Sequence, residues 1–265
     1  MRIAPEQSIR AEEKNTLGRP KNFIQESIMA PYNPIILTCR STYMQRIADA
    51  AGDGYTHYVC NTVSVAKLPA LVAKFAKIYH IHLTSKQCYR ARLKGNASSK
   101  MYCYWHDKVP DQVQFILLHR LNRDSQLPPG EQWRLATNRH TRIHSSGYEL
   151  VRLPNQRTSN QQTPKAKYFW TWRYTPEQME RFEEELRRVV ARKSENGYLM
   201  LFDRLQKTLG FAGSREQAFD LLQRLEQKWY KTHGMEPPKR LKGKLPTARR
   251  MANEGIELDK LCSPK

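Results

Sequence analysis

Three short stretches carry residue types that can move a proton or hold a phosphate. In RHTRIH, residues 139–144, His140 and His144 stand four apart with Arg139 before them and Arg142 between them. Imidazoles titrate near neutrality, so the pair suits metal-independent proton transfer during RNA cleavage, or plain phosphate contact. In KQCYRARLKGNASSK, residues 86–100, five cations sit among small polar residues and one glycine. There Arg90 and Arg92, close to Gly95, can steady the charge on a pentavalent phosphate and its leaving oxygen, while Lys86, Lys94 and Lys100 contact the backbone. The third stretch, His80-Ile81-His82 followed by Tyr89, can set two imidazoles on one side of a strand as metal ligands, with a tyrosine nucleophile nearby.

The remaining chemistry is bounded by what is missing. The sequence contains no P-loop, H-E-x-x-H, G-x-S-x-G or dinucleotide G-x-G-x-x-G pattern. Carboxylates are scarce outside the C-terminal helices, which argues against a two-metal nuclease, and no cofactor is expected. The five cysteines, odd in number and without a C-x-x-C pair, read as reduced cytosolic thiols rather than as a disulfide framework or zinc ribbon. With no apolar run of membrane-spanning length and no signal-like start, a cytoplasmic protein with no membrane partner is expected.

Charge is the strongest signal in the 265 residues: 45 Lys and Arg against 25 Asp and Glu give +20. A hydrophobic fraction of 39% and an aromatic fraction of 10% exclude a disordered basic tail. Between Asp53 and Asp107 lie eight cations and no acid. The stretch 134–173 holds eight more, Arg134, Arg139 and Arg142 among them, against the single Glu149. A third acid-free run, 239–250, contributes Lys239, Arg240, Lys242, Lys244, Arg249 and Arg250. A solvated face normally interleaves both signs, whereas phosphate neutralisation rewards their segregation, so a nucleic acid is the expected partner.

The elements that must position these residues follow from periodicity. Residues 1–33 read as an N-terminal arm. A strand over 34–40 leads to a helix to Ala51, with Thr42 and Gln45 as its capping box. From Gly54 the order reads strand (54–65), helix (67–78), strand (100–106), strand (113–119), helix (129–137), strand (148–153). That is the order of a ferredoxin-like, split βαβ sheet, in an α+β domain expected to span 34–174. Tyr102 and Tyr104 alternate onto one face of the third element, either as a stacking platform for unpaired bases or as core. Residues 168–174, YFWTWRY, add a strand. A helical module over 175–234 begins at Thr175-Pro176-Glu177-Gln178, with a later helix capped by Ser214 and Gln217, and 235–265 reads as a basic tail.

GYTHYVCNTV, GYELVRLP, YFWTWRYT and GFAGSREQ followed by Trp229 resemble stretches of basic proteins carried by plasmids and integrative conjugative elements. In size, charge and sheet pattern the chain also resembles the repeat-processing endonucleases of type IV CRISPR systems. That resemblance implies metal-independent cleavage of a repeat hairpin, retention of the mature guide RNA, and assembly with protein subunits of a ribonucleoprotein complex. The His-hydrophobe-His triplet is similar to the pattern of rolling-circle initiators and relaxases, which implies DNA nicking by Tyr89 instead. A non-catalytic DNA-binding accessory protein of a conjugative element is the remaining alternative.

Overall fold

The structure, a computed structural model, describes residues 32–122, 125–155, 168–238 and 243–263. Strand β1 (Ile35–Leu37) feeds helix α1 (Arg40–Gly52), which begins two residues before the expected cap. Cys39 is the residue at the N-cap, so Thr42 lies inside the first turn, where it is wholly buried. The Gln45 side chain is engaged elsewhere: its Nε2 donates to the Arg249 carbonyl at 3.0 Å, and its Oε1 accepts from Met251 N at 3.1 Å.

β2 (His57–Ser64), α2 (Leu68–Tyr79), α3 (Ser85–Leu93), β3 (Ser98–Trp105) and β4 (Gln112–Arg120) follow. β4 runs antiparallel to both β2 and β3, so β2 and β3 are parallel to each other and flank it. The crossover between them consists of α2 and α3. α3 fills much of the stretch left without an element between the helix expected over 67–78 and the strand expected over 100–106, because Thr84 and Gln87 form a reciprocal capping box and no helix breaker intervenes before Gly95. α2 ends at His80 in a left-handed conformation (φ 52°), which puts His80 and His82 in a turn and not on a strand.

The second half of the expected order is different. Pro128, Pro129 and Gly130 (φ 97°) turn the chain, and the Trp133 indole closes the loop by donating to the Pro128 carbonyl at 2.9 Å. In place of a helix over 129–137, only a two-residue strand, β5 (Arg134–Leu135), pairs along β2. The strand expected over 148–153 is present as β7 (Tyr148–Pro154). It lies in a separate antiparallel sheet between β6 (His144–Ser145) and β8 (Tyr168–Tyr174). β9 (Gly255–Glu257) completes the first sheet, whose order is β5-β2-β4-β3-β1-β9. The architecture is α+β, and no helix of the described residues is long and apolar enough to cross a membrane.

The period of two along β3 and β4 decides the layers. Ile116 and Leu118 of β4, with Tyr104 and Tyr58, face α1 and Trp172 of β8. Val113, Phe115 and Leu117, with Cys103, face Leu68, Val72, Phe75 and Tyr79 of α2. Each such side chain, taken fully out of water, contributes about 1.5–3 kcal/mol. Trp172 Nε1 donates to the Met44 carbonyl at 2.8 Å, tying the small sheet to α1.

α4 (Pro176–Ala191) starts where expected, with Thr175 Oγ1 accepting from Gln178 N. Together with α5 (Glu195–Gln206) and α6 (Ala212–His233) it closes a third apolar cluster around Trp229, Leu186 and Tyr174. α6 begins two residues ahead of Ser214, and Gln217 serves β8 instead, accepting from Tyr174 N at 2.6 Å. This start crosses β8 so closely that a Cβ on Gly213 would lie 2.9 Å from the Trp172 carbonyl.

The described part of the C-terminal region is a strap and not a loose tail. Ala248 N donates to the Gly210 carbonyl at 2.7 Å, and Arg46 Nε donates to Asn253 Oδ1 at 2.5 Å. β9 then pairs with β1, and α7 (Leu258–Cys262) buries Leu258 against the α2 side of the sheet.

Candidate nucleic-acid interface

Along β8 the alternate residues Trp172, Trp170 and Tyr168 climb from the core towards the end of the β7–β8 hairpin where Tyr168 pairs with Pro154 and the chain passes from one strand to the other. Trp172 is fully buried, Trp170 is partly covered, and Tyr168 is 43% exposed. Arg152 of β7 stands directly opposite Trp170 and lays its guanidinium over the Tyr168 ring, 4.5 Å from the centroid. This wall faces a cleft of about 990 Å³, lined also by Asp49, Gly52 and Asp53 at the end of α1 and by Arg250 of the strap. Asp49 Oδ2 pairs with Arg46 Nη1 at 3.3 Å, and Asp53 Oδ2 with Lys100 Nζ at 3.1 Å. Lys100 also lies over the Tyr55 ring, 4.6 Å from its centroid.

Two of the cations singled out in the sequence are therefore at this cleft, Arg250 in its wall and Lys100 beside it. Arg249 is adjacent on the strap, with its carbonyl held by Gln45. Arg152, Tyr168 and Trp170 were not among the expected contacts, although the alternation in YFWTWRY and the cation in GYELVRLP were available as signals.

Lys86, Arg90 and Lys94 recur every four residues on α3 or at its end, an exposed stripe on an acid-free helix. Arg92 lies over the Tyr89 ring, 5.7 Å from its centroid. On the other side of the central sheet, Tyr58 Oη donates to the carbonyls of Thr141 and Arg142, at 2.9 and 3.1 Å, fixing the segment that carries Arg139, His140 and His144, all exposed. Arg134 is exposed on β5. Among the described residues no hydrogen bond, ion pair or ring contact joins Arg90 or Arg92 to either histidine, so the expected catalytic four are not assembled.

Other expected contacts are corrected. Tyr102 and Tyr104 are packed beneath α1, with Tyr104 stacked on Tyr43 at 5.6 Å, and offer no platform to bases. The reason is that both faces of β3 are covered. Burial pushes the Tyr102 hydroxyl far above its ordinary range. Arg142 is part of an internal clamp: with Arg173 it holds the buried carboxylate of Glu149, at 3.0 and 2.7 Å. The His80 and His82 rings are 5.9 Å apart, and His82 is 6.5 Å from Tyr32. Among the described residues no three His, Cys, Asp or Glu side chains are grouped to hold a metal ion. Lys244 is exposed beside a smaller apolar groove on α5 and α6, and Lys239, Arg240 and Lys242 lie outside the described residues.

A third histidine pair, absent from the sequence expectations, sits in the central sheet. His57 and His119 are cross-strand partners on β2 and β4. Ser99 Oγ is 2.8 Å from His119 Nδ1, and the Trp133 ring covers His119 at 5.2 Å. Desolvation, and then the neighbouring His57, pull His119 down to about 4, while burial lowers His57. Nothing in local sequence marks this pair, because only strand register brings it together. No family model, curated protein or solved structure matches this chain.

Proposed function

We propose that this chain is an RNA-binding protein that seats an unpaired stretch of RNA in the cleft between α1, the β7–β8 hairpin and the C-terminal strap. The observation that carries this reading is the wall formed by Arg152, Tyr168 and Trp170, facing a cleft to which Arg250 also contributes. Aromatic rings accept the face of any unstacked base, worth about 1–3 kcal/mol per base, and arginines neutralise the phosphates between them. Sequence-specific RNA recognition targets such unpaired bases, whereas a rigid duplex presents only backbone to a slot of this kind. The acid-free stripe of Lys86, Arg90 and Lys94 suits the phosphates of an adjoining stem.

The measurement is equilibrium binding of a hairpin RNA with a single-stranded flank across a salt series. With several phosphates neutralised, log K falls with log salt at a slope of several units. Arg152→Ala and Tyr168→Ala each weaken binding about tenfold or more, and Arg152→Ala shallows the slope by about one unit. A flat salt response, or equal binding of the matching DNA, removes the RNA reading.

Cleavage of the bound RNA extends the same proposal, with the substrate 2′-hydroxyl attacking phosphorus, the 5′-oxygen leaving with a proton, and a 2′,3′-cyclic phosphate remaining. The groups available for the proton transfers are His140 and His144, exposed on the segment that Tyr58 holds and next to Arg139. Product that forms in EDTA and disappears in His140→Ala or His144→Ala supports this step. Retention of the product within a ribonucleoprotein complex, as in CRISPR guide processing, belongs to the same reading.

A further inference from the structure

We infer that the cleft selects an unpaired guanine, read by Asp49 and Asp53, while Arg152 and Arg250 hold its phosphates; the inference rests on the RNA-binding reading above. A groove built for backbone alone has no use for carboxylates, which repel phosphate. Yet Asp49 and Asp53, four residues apart at the end of α1, both line the cleft. They stand at the negative end of the helix dipole, where the carbonyls of Asp49, Ala50 and Ala51 already accept from the N–H groups of Asp53, Tyr55 and Gly54 and the Asp53 carbonyl accepts from Arg120, so the acceptors this wall offers a ligand are the two carboxylates. The facing wall of Arg152, Tyr168 and Trp170 favours an anion and a flat ring. A ligand that fits both walls carries a planar group with a donor edge and a phosphate.

The aspartates are half-used. Asp49 Oδ2 is held by Arg46 and Asp53 Oδ2 by Lys100, and the second oxygen of each has no hydrogen bond within the described residues. Both side chains are more than half exposed, at 54% and 58%. Arg46 and Lys100 offset their charge, which lets a polyanion approach without cancelling the acceptors. Among the four bases only guanine presents two adjacent donors, N1–H and the N2 amine, on its pairing edge. Adenine and cytosine set one amine beside an acceptor nitrogen, and uracil sets one N–H between two carbonyls, so in each case an acceptor lone pair faces a carboxylate oxygen. Hydrogen bonds to an ionised acceptor are roughly twice as strong as neutral ones, which makes the mismatch count.

The test uses the full chain and fluorescently labelled octamers: all-uridine, and the same octamer carrying one central guanine, adenine or inosine. The guanine octamer binds about tenfold more tightly than all-uridine, the scale of one good two-point base contact, and adenine gives no such gain. Inosine keeps N1–H but lacks the amine and falls between, a comparison that needs no variant protein. Asp49→Asn and Asp53→Asn bring guanine and uridine within about twofold while all-uridine binding is kept or strengthened, since a negative charge is lost. Equal affinity for guanine, adenine and uridine octamers, or an inosine octamer equal to guanine, overturns the aspartate assignment and leaves the RNA-binding reading standing. Absence of binding to every octamer and to the hairpin overturns both.

Discussion

His57 and His119 oppose each other across β2 and β4, and both imidazoles are held in an environment that disfavours the charged form. His119 is almost wholly buried, with Ser99 on one nitrogen and Trp133 over the ring, and Nε2 has no hydrogen-bond partner among the described residues. Protonation there places a charge beside a second imidazole in a low-dielectric setting, and among the described residues no carboxylate pairs with either ring.

The sign of the pH dependence follows. His119 titrates near 4 in the folded chain and near the ordinary 6.5 when unfolded, so between these values the unfolded chain binds more protons. Stability is level above about pH 7 and declines on acidification from there towards pH 4, with a slope approaching about 1.4 kcal/mol per pH unit for this one site. Urea unfolding at intervals from pH 4.5 to 8 measures it. His119→Gln flattens that part of the profile; an unchanged profile shows that other groups control it.

Glu149 is 4% exposed at its side chain and accepts from Arg142 and Arg173 together. Removing one member of such a buried arrangement leaves the others without compensation, which typically costs about 3–5 kcal/mol. Because both arginines here retain some contact with water, Glu149→Gln is expected to cost about 2–3 kcal/mol, less than that full range. Chemical denaturation of the variant reads the loss directly, and a change below about 0.5 kcal/mol would show the clamp to be dispensable.

The strap is tested at Gly255, where an added Cβ would run into the backbone of Ile36 in β1. Gly255→Ala separates β9 from β1 and loosens Leu258, and a stability loss on the order of 1–3 kcal/mol is expected. Deleting residues 254–265 lowers the thermal midpoint further. Since Arg250 precedes the deletion, the proposed RNA binding is expected to survive in part. An unchanged midpoint in both variants would mean that the C-terminal segment adds nothing to the fold.

Local sequence determined a good deal of this protein. The Thr175, Pro176 and Gln178 start of α4, the apolar stripe of α2 and the strands β2, β3 and β4 are legible because each depends on neighbours within one turn or one pleat. The segregation of cations from acids is equally a property of the chain. Tertiary structure decided the rest. Tyr102 and Tyr104 alternate in the same way whether α1 covers their face or leaves it open, so their burial depends on a helix more than fifty residues away. β7 has a strand's composition in either sheet, and pairing with β8 places it in the second. The cleft draws Asp49, Arg152, Tyr168 and Arg250 from three distant parts of the chain, and His57 meets His119 only through strand register. No local period records such meetings, because the energy that selects them is non-local burial and pairing, settled when the layers close.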